Sequence, residues 1–229
     1  KFLLLKYYSL DKLGIYYAAS TIGAVILIFN QGYYKAIEQK IFSNFSKDNF
    51  IIGVQNIDQF QFIFHTVVSI SIILFGEDLL TLIYGDTYLG AAAYLPYIII
   101  STIFIGAKNI ANTVLHAYKI TKYDFLITLI SIISYSILFI LCIKYFDILG
   151  ALYAIMLSSL ITYLFTLFLV NRHKTINFGS MKKILLSAVL IILSYYMDIF
   201  LFPIKIAILS LLMVSTFIYL NKNSHIIPS

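Results

Sequence analysis

Lys108, Asn112 and His116 recur at four-residue intervals, so on a helix they fall on one polar line, with Asn109 and Thr113 widening it. An ammonium, an amide and an imidazole in register are groups that hold an anion. Their surroundings make the line informative. It lies inside the apolar stretch Tyr94–Tyr118, and Lys108 sits roughly 15 Å from the end of that stretch at 1.5 Å per residue. A lysine side chain reaches about 6 Å, too little to snorkel back to water. A charge at membrane depth costs at least ~2.5–3.5 kcal/mol, so this one must face a wet cavity or a partner. Two readings follow: a cation lining an aqueous lumen for an anionic headgroup, or a lysine held by carbonyls or by an acid elsewhere.

The elements that must position this line are apolar throughout. Stretches at 13–32, 60–75, 94–118, 125–145, 149–170, 184–200 and 204–220 fill most of the chain. A bilayer core of ~30 Å needs roughly 20 apolar residues in a helix, and only the second and the last two stretches fall short. With 61% hydrophobic and 11% charged residues, there is too little polar surface to cover a water-soluble core. The runs are continuous rather than alternating, which argues against a β-barrel. The fold class expected is therefore all-α, a polytopic transmembrane helical bundle whose helices satisfy their own backbone groups in lipid.

The net charge of +6 does not indicate nucleic acid, because the basic residues lie in short loops between spans. One set of alternate loops collects Lys35, Lys40, Lys47, Lys119, Lys122, Arg172, Lys174, Lys182, Lys183 and Lys222. The other holds Lys1, Lys6, Lys12, Lys144 and Lys205. The richer side is expected to be cytoplasmic, which puts the C-terminus inside. The segment 33–58 reads as the largest cytoplasmic loop, mixing lysines with Glu38, Asp48 and Asp58. No signal peptide is visible, and the chain opens on Lys1 and runs straight into an apolar stretch. It reads as the C-terminal membrane domain, 1–229, of a longer protein with further spans before it.

Other candidates carry blander readings. Gly14 with Ala18, Ala19 with Gly23, and Gly150 with Ala154 and Ser158 are spaced for close helix packing. His65, among Gln59, Gln61, Thr66 and Ser69, reads as packed or hydrogen-bonded, with a proton relay as the lesser reading. Glu77 and Asp78 are adjacent, hence on different helix faces. They suit the start of a short interfacial helix better than a catalytic pair, and Gly85-Asp86 then makes a turn. Cys142 is a small apolar filler. No His/Cys/Asp/Glu set has metal-ligand spacing, no phosphate-binding GxxxxGK[ST] occurs, and apart from edge residues no acid is expected inside a span. No cofactor and no catalysis are expected.

Four passages in order resemble one family. Lys1–Lys6 through Leu13-Gly14-Ile15-Tyr16-Tyr17-Ala18-Ala19 is similar to a "D-[RK]-x-x-L … V-G-x-Y-x-x-A" passage from its second position onward. Leu82-Ile83-Tyr84-Gly85-Asp86-Thr87-Tyr88 through Ala91 resembles "L-x-[FY]-G-x-x-Y-x-x-A". Lys119–Lys122 matches a short basic turn, and Ile148-Leu149-Gly150-Ala151-Leu152-Tyr153-Ala154 resembles "G-[IL]-x-G-A-x-x-A". The family is the bacterial polysaccharide and O-antigen flippases of the multidrug/oligosaccharidyl-lipid/polysaccharide superfamily, and the resemblance covers 1 to about 170. Ser131, Ser134 and Ser136 stand where that family usually carries asparagines. The resemblance implies a MATE-like bundle in two halves working by alternating access, of which this chain holds the last seven spans. It implies an undecaprenyl-pyrophosphate-linked oligosaccharide as cargo, the bacterial inner membrane as location, and a polysaccharide polymerase and chain-length machinery as partners. On that reading Lys108 meets the pyrophosphate, supported by Asn112, His116 and Asn109. A cation-coupled multidrug exporter of the same fold is the alternative, and a membrane polymerase or ligase a more distant one.

Overall fold

The computed structural model describes residues 9–44 and 50–173, together with Phe178 and isolated positions between 182 and 214. Among the described residues it is helical, without strands: α1 (Leu10–Asn44), α2 (Phe50–Tyr84), a 3-10 helix (Asp86–Tyr94), α3 (Leu95–Ala117) and α4 (Lys122–His173). Among the described residues, four helices are long and apolar enough to cross a membrane. The chain is thus an all-α bundle suited to lipid. The stretches at 184–200 and 204–220 lie outside the described residues.

The 52-residue α4 is not one rod. Asp147 adopts φ 55, ψ −140 in its middle. A Cβ on Gly150 would strike the Cys142 carbonyl and lie 2.6 Å from the Ile143 nitrogen. In a straight helix, residues eight apart stand about 12 Å from each other. The chain therefore doubles back at Asp147, and the arms 122–146 and 148–173 run antiparallel, as the bond between His173 Nε2 and Tyr123 Oη (3.3 Å) at their far end also requires. Lys12 of α1 pairs with Asp147 Oδ2 at 2.7 Å and braces the bend.

α3 is the axis of the bundle. Its small residues Gly106, Ala107, Ala111 and Ala117 let neighbours approach, and most of its length is buried. Lipid tails compete with leucine for contacts, so such close fits, rather than the hydrophobic effect, hold the helices together. α1 runs parallel to α3: Gly14 lies beside Tyr88, Gly23 against Ile98, and Thr113 Oγ1 sits 2.8 Å from Tyr34 Oη. α2 runs antiparallel, with Gly76 against Leu95, His65 against Gly106, and Phe50 edge-on to Tyr118. The second arm of α4 runs parallel to α3, through the Tyr97–Tyr153 and Phe104–Tyr163 ring contacts. The expected close-packing faces are realised: Ala18, Ala19, Gly150, Ala154 and Ser158 are all buried.

α3 ends in a Schellman turn. The Ile120 N–H donates to the Leu115 carbonyl (2.9 Å) and the Lys119 N–H to the His116 carbonyl (2.8 Å), with Lys119 at φ 57 where glycine is usual. The turn folds the first residues of α4 directly back onto the last turn of α3.

One expectation about the connections is corrected. The segment 33–58, read as a loop, is largely helical: α1 continues to Asn44 and α2 begins at Phe50. Its polar composition concealed two helix ends. Asp58, assigned to that loop, is a buried residue of α2 instead. The short helix expected after Phe75 is present as the last segment of α2, set off from the rest by a non-helical kink at Phe75 (φ −116, ψ 16), and the turn at Gly85 leads into the 3-10 helix. Glu77 and Asp78 are exposed there.

Candidate functional site

Lys108 borders a cavity of ≈ 250 Å³ between α3 and the two arms of α4. Ser131 and Tyr135 from the first arm and Ser158, Ser159 and Thr162 from the second supply its polar wall, and Ile105, Ile132 and Ile155 the rest. The hairpin creates this pairing, because it brings residues about 30 apart in sequence onto facing surfaces. Ser158, Ser159 and Thr162 donate to the carbonyls of Ile155 (3.0 Å), Met156 (2.7 Å) and Ser158 (2.7 Å). Back-bonding of this kind satisfies a hydroxyl inside lipid and leaves its lone pairs free for a cation. The hydroxyls of Ser131 and Tyr135 donate to no group among the described residues, so they and the ammonium are the donors the cavity offers. Lys108 makes no ion pair or hydrogen bond among the described residues, although Asp124 is near enough for its charge to act on it.

The polar line divides below Lys108. Asn112 Nδ2 donates to Asp124 Oδ1 at 2.9 Å, and His116 Nε2 lies 2.8 and 2.7 Å from the two Asp124 oxygens. Asn112 Nδ2 and His116 Nε2 are 3.4 Å apart. Asp124 sits in the first turn of α4, where the helix dipole favours a carboxylate, and His116 in the last turn of α3, where it favours a cation. Asn112 Oδ1 is buried with no partner. Asn109 lies off the line; its carbonyl is 3.1 Å from the Thr113 hydroxyl. Of the four expected site residues, Lys108 alone borders the cavity. Asn112 and His116 gather on a carboxylate, and Asn109 does not line the cavity.

Asp124 escaped the sequence reading. The signal was present in the short turn Tyr118–Thr121, which forces Asp124 beside the last turns of α3. A second polar row was legible only in part, through Gln61, His65 and Ser69, without Asp58. Asp58 (3% exposed), Gln61 (6%), His65 (2%) and Ser69 (2%) share one buried face of α2, at offsets of three, seven and eleven residues. A Cβ on Gly106 would lie 3.0 Å from His65 Cε1 and would also meet Gln61 Nε2, so α3 has no side chain where these two pack. Gln61 Oε1 is buried without a partner. Tyr163 of the second arm, fully buried, feels the charge of Asp58. Among the described residues no group of three or more His, Cys, Asp or Glu side chains could hold a metal ion.

The chain matches no family model, no curated protein and no solved structure.

Proposed function

We propose that this chain is the C-terminal part of a flippase for lipid-linked oligosaccharides. The cargo is an undecaprenyl-pyrophosphate-linked repeat unit of O-antigen, capsule or exopolysaccharide. It moves from the cytoplasmic to the outer leaflet of the bacterial inner membrane by alternating access of a MATE-like bundle. One observation carries the reading: the ammonium of Lys108 borders a hydroxyl-lined cavity inside a bundle of apolar helices. A cation at that depth is costly unless it meets a counter-charge or water, and a pyrophosphate headgroup provides the counter-charge. Ser131 and Tyr135 add neutral donors suited to phosphate or sugar oxygens. Asn112 and His116 support the site from a turn or two below, held ready by Asp124. The four passages resembling the flippase family supply the cargo class. The reading involves no catalysis, and it pairs the flippase with a polymerase and chain-length machinery that consume the exported unit.

A second reading has its own observation. A cation-coupled exporter of the same fold requires an acid inside the bundle, and Asp58 is a buried one.

The test is transport by Lys108 variants produced at equal levels. Lys108→Ala is expected to abolish flipping of the lipid-linked unit, and Lys108→Arg, which keeps the charge, to retain part of it. Full transport by Lys108→Ala rejects the role given to this residue. Export of cationic drugs with no effect on surface glycan favours the second reading.

A further inference from the structure

Two bonding demands on α3 stand one helical turn apart and answer each other. The Lys108 ammonium can only donate, and it makes no hydrogen bond or ion pair among the described residues. Asn112 Oδ1 is a buried acceptor without a donor. Leaving such an acceptor unsatisfied is destabilising, and native structures rarely do so without a reason. Residues four apart on a helix have Cβ atoms about 6 Å apart, within the span of a lysine stem.

The other end of the Asn112 amide determines what such a bond would connect to. Nδ2 donates to Asp124 Oδ1 at 2.9 Å, and because an ionised carboxylate only accepts, the amide oxygen is the end left over. Donating to a carboxylate polarises an amide and makes its oxygen a stronger acceptor. His116 Nε2 lies 2.8 and 2.7 Å from the two oxygens of the same carboxylate and holds it in place. Lys108 feels the charge of Asp124 and of no other acid among the described residues.

We propose that Asp124 is the resident counter-ion of Lys108, and that it competes with the anionic headgroup in the cavity for that one ammonium. The proposal rests on the reading of the cavity as an anion site. The ammonium has two seats. With a headgroup bound it stays at the cavity beside Ser131 and Tyr135. Once the headgroup has left, it reaches down one turn, donates to Asn112 Oδ1 and is neutralised across the amide by Asp124. The structure shows it at the cavity, the side to which helix side chains lean because their Cα–Cβ bonds tilt toward the N-terminus. Its flexible four-carbon stem permits the other seat.

The competition serves release. A buried charge stripped of its only partner is strongly destabilised, so a lysine with no second partner would hold its anion too firmly to let it go. Asp124 is in this sense a positioning residue. It touches no cargo, and it sets how firmly Lys108 does.

The experiment measures binding of inorganic pyrophosphate to the purified chain in lipid nanodiscs by calorimetric titration at constant pH and ionic strength, with melting followed in parallel. Wild type is expected to bind and Lys108→Met not to. Asp124→Asn is expected to bind more tightly, on the order of tenfold, the effect of removing one elementary charge at about 10 Å with an effective dielectric constant of ~20. Asp124→Glu, which keeps the charge, is expected to bind as wild type does. Asn112→Leu removes the second seat but leaves the carboxylate, and it should tighten binding by less. In the absence of pyrophosphate, Asp124→Asn is expected to lower the melting temperature by about 2–4 °C less when Lys108→Met is already present, because the two charges no longer support each other. Strictly additive melting shifts overturn the proposal. So does an Asp124→Asn chain that binds pyrophosphate no more tightly than wild type, which is what a merely structural carboxylate would give. Coupled melting with no binding by wild type supports the counter-ion and rejects the anion site itself, so the two failures are distinguishable.

Discussion

The hairpin in α4 can be tested with two glycine substitutions that should shift stability in opposite directions. Replacing glycine by alanine inside a helix ordinarily stabilises, by roughly 0.5–1 kcal/mol, because alanine has less backbone freedom to lose. Gly53 of α2 has nothing within 4 Å of an added Cβ, so Gly53→Ala should show that gain. Gly150 is also within a helical run, but its added Cβ would meet the backbone of the opposite arm, 2.6 Å from the Ile143 nitrogen. Backbone atoms cannot rotate aside as a side-chain tip can, so the arms must part by about an ångström. Overpacking of that kind costs about 1–3 kcal/mol. Setting it against the ordinary gain leaves Gly150→Ala destabilised by about 1–2 kcal/mol, or several degrees of melting temperature. Melting of the purified chain in detergent, followed by tyrosine fluorescence, reads both. If Gly150→Ala stabilises the chain as Gly53→Ala does, residues 122–173 form a continuous helix and the cavity between the arms does not exist.

Other expectations follow from single residues. Asp147→Gly should raise the melting temperature, because φ 55 with ψ −140 suits glycine and strains any other residue by ~1–3 kcal/mol, while the Lys12 pairing it removes is exposed; a fall would mean that the ion pair outweighs the strain. Asp124→Ala should destabilise by about 1–3 kcal/mol, since it takes the acceptor from both Asn112 and His116. Asp124→Asn, which keeps one oxygen, should cost less, and the same melting assay ranks them. Lys108→Cys should react with a small water-soluble thiol reagent through the cavity, whereas a cysteine at Ile110, 2% exposed, should not; mass spectrometry after timed labelling distinguishes them.

The all-helical, lipid-suited character of the chain was legible because apolar runs of bilayer length leave no other way to satisfy the backbone. The faces of α1 and of the second arm of α4 were legible for a similar reason. Small residues four apart mark a close approach regardless of which helix approaches. The bend between 145 and 149 was legible as a break between two apolar stretches. What hid Asp58 was its neighbourhood. The surrounding lysines and acids averaged to a loop, although Asp58, Gln61, His65 and Ser69 keep helical spacing. Asp124 was obscured differently, since its role depends on a turn geometry set by Lys119 in the left-handed region rather than by composition. The cavity wall was the least legible part. Ser131 and Ser158 lie in separate apolar stretches, and only the pairing of two arms makes them neighbours. The sequence pattern identified Lys108 by the cost of burying it, but offered no account of how Asn112 and His116 would be occupied.

The most direct test of the central claim is deletion of the gene encoding this chain, followed by measurement of surface polysaccharide and of lipid-linked intermediates in each leaflet. The account predicts that surface polymer disappears while undecaprenyl-pyrophosphate-linked units accumulate in the inner leaflet, and that the wild-type gene reverses both but Lys108→Ala does not. Normal surface glycan in the deletion strain, or units that reach the outer leaflet and fail to polymerise, would contradict it.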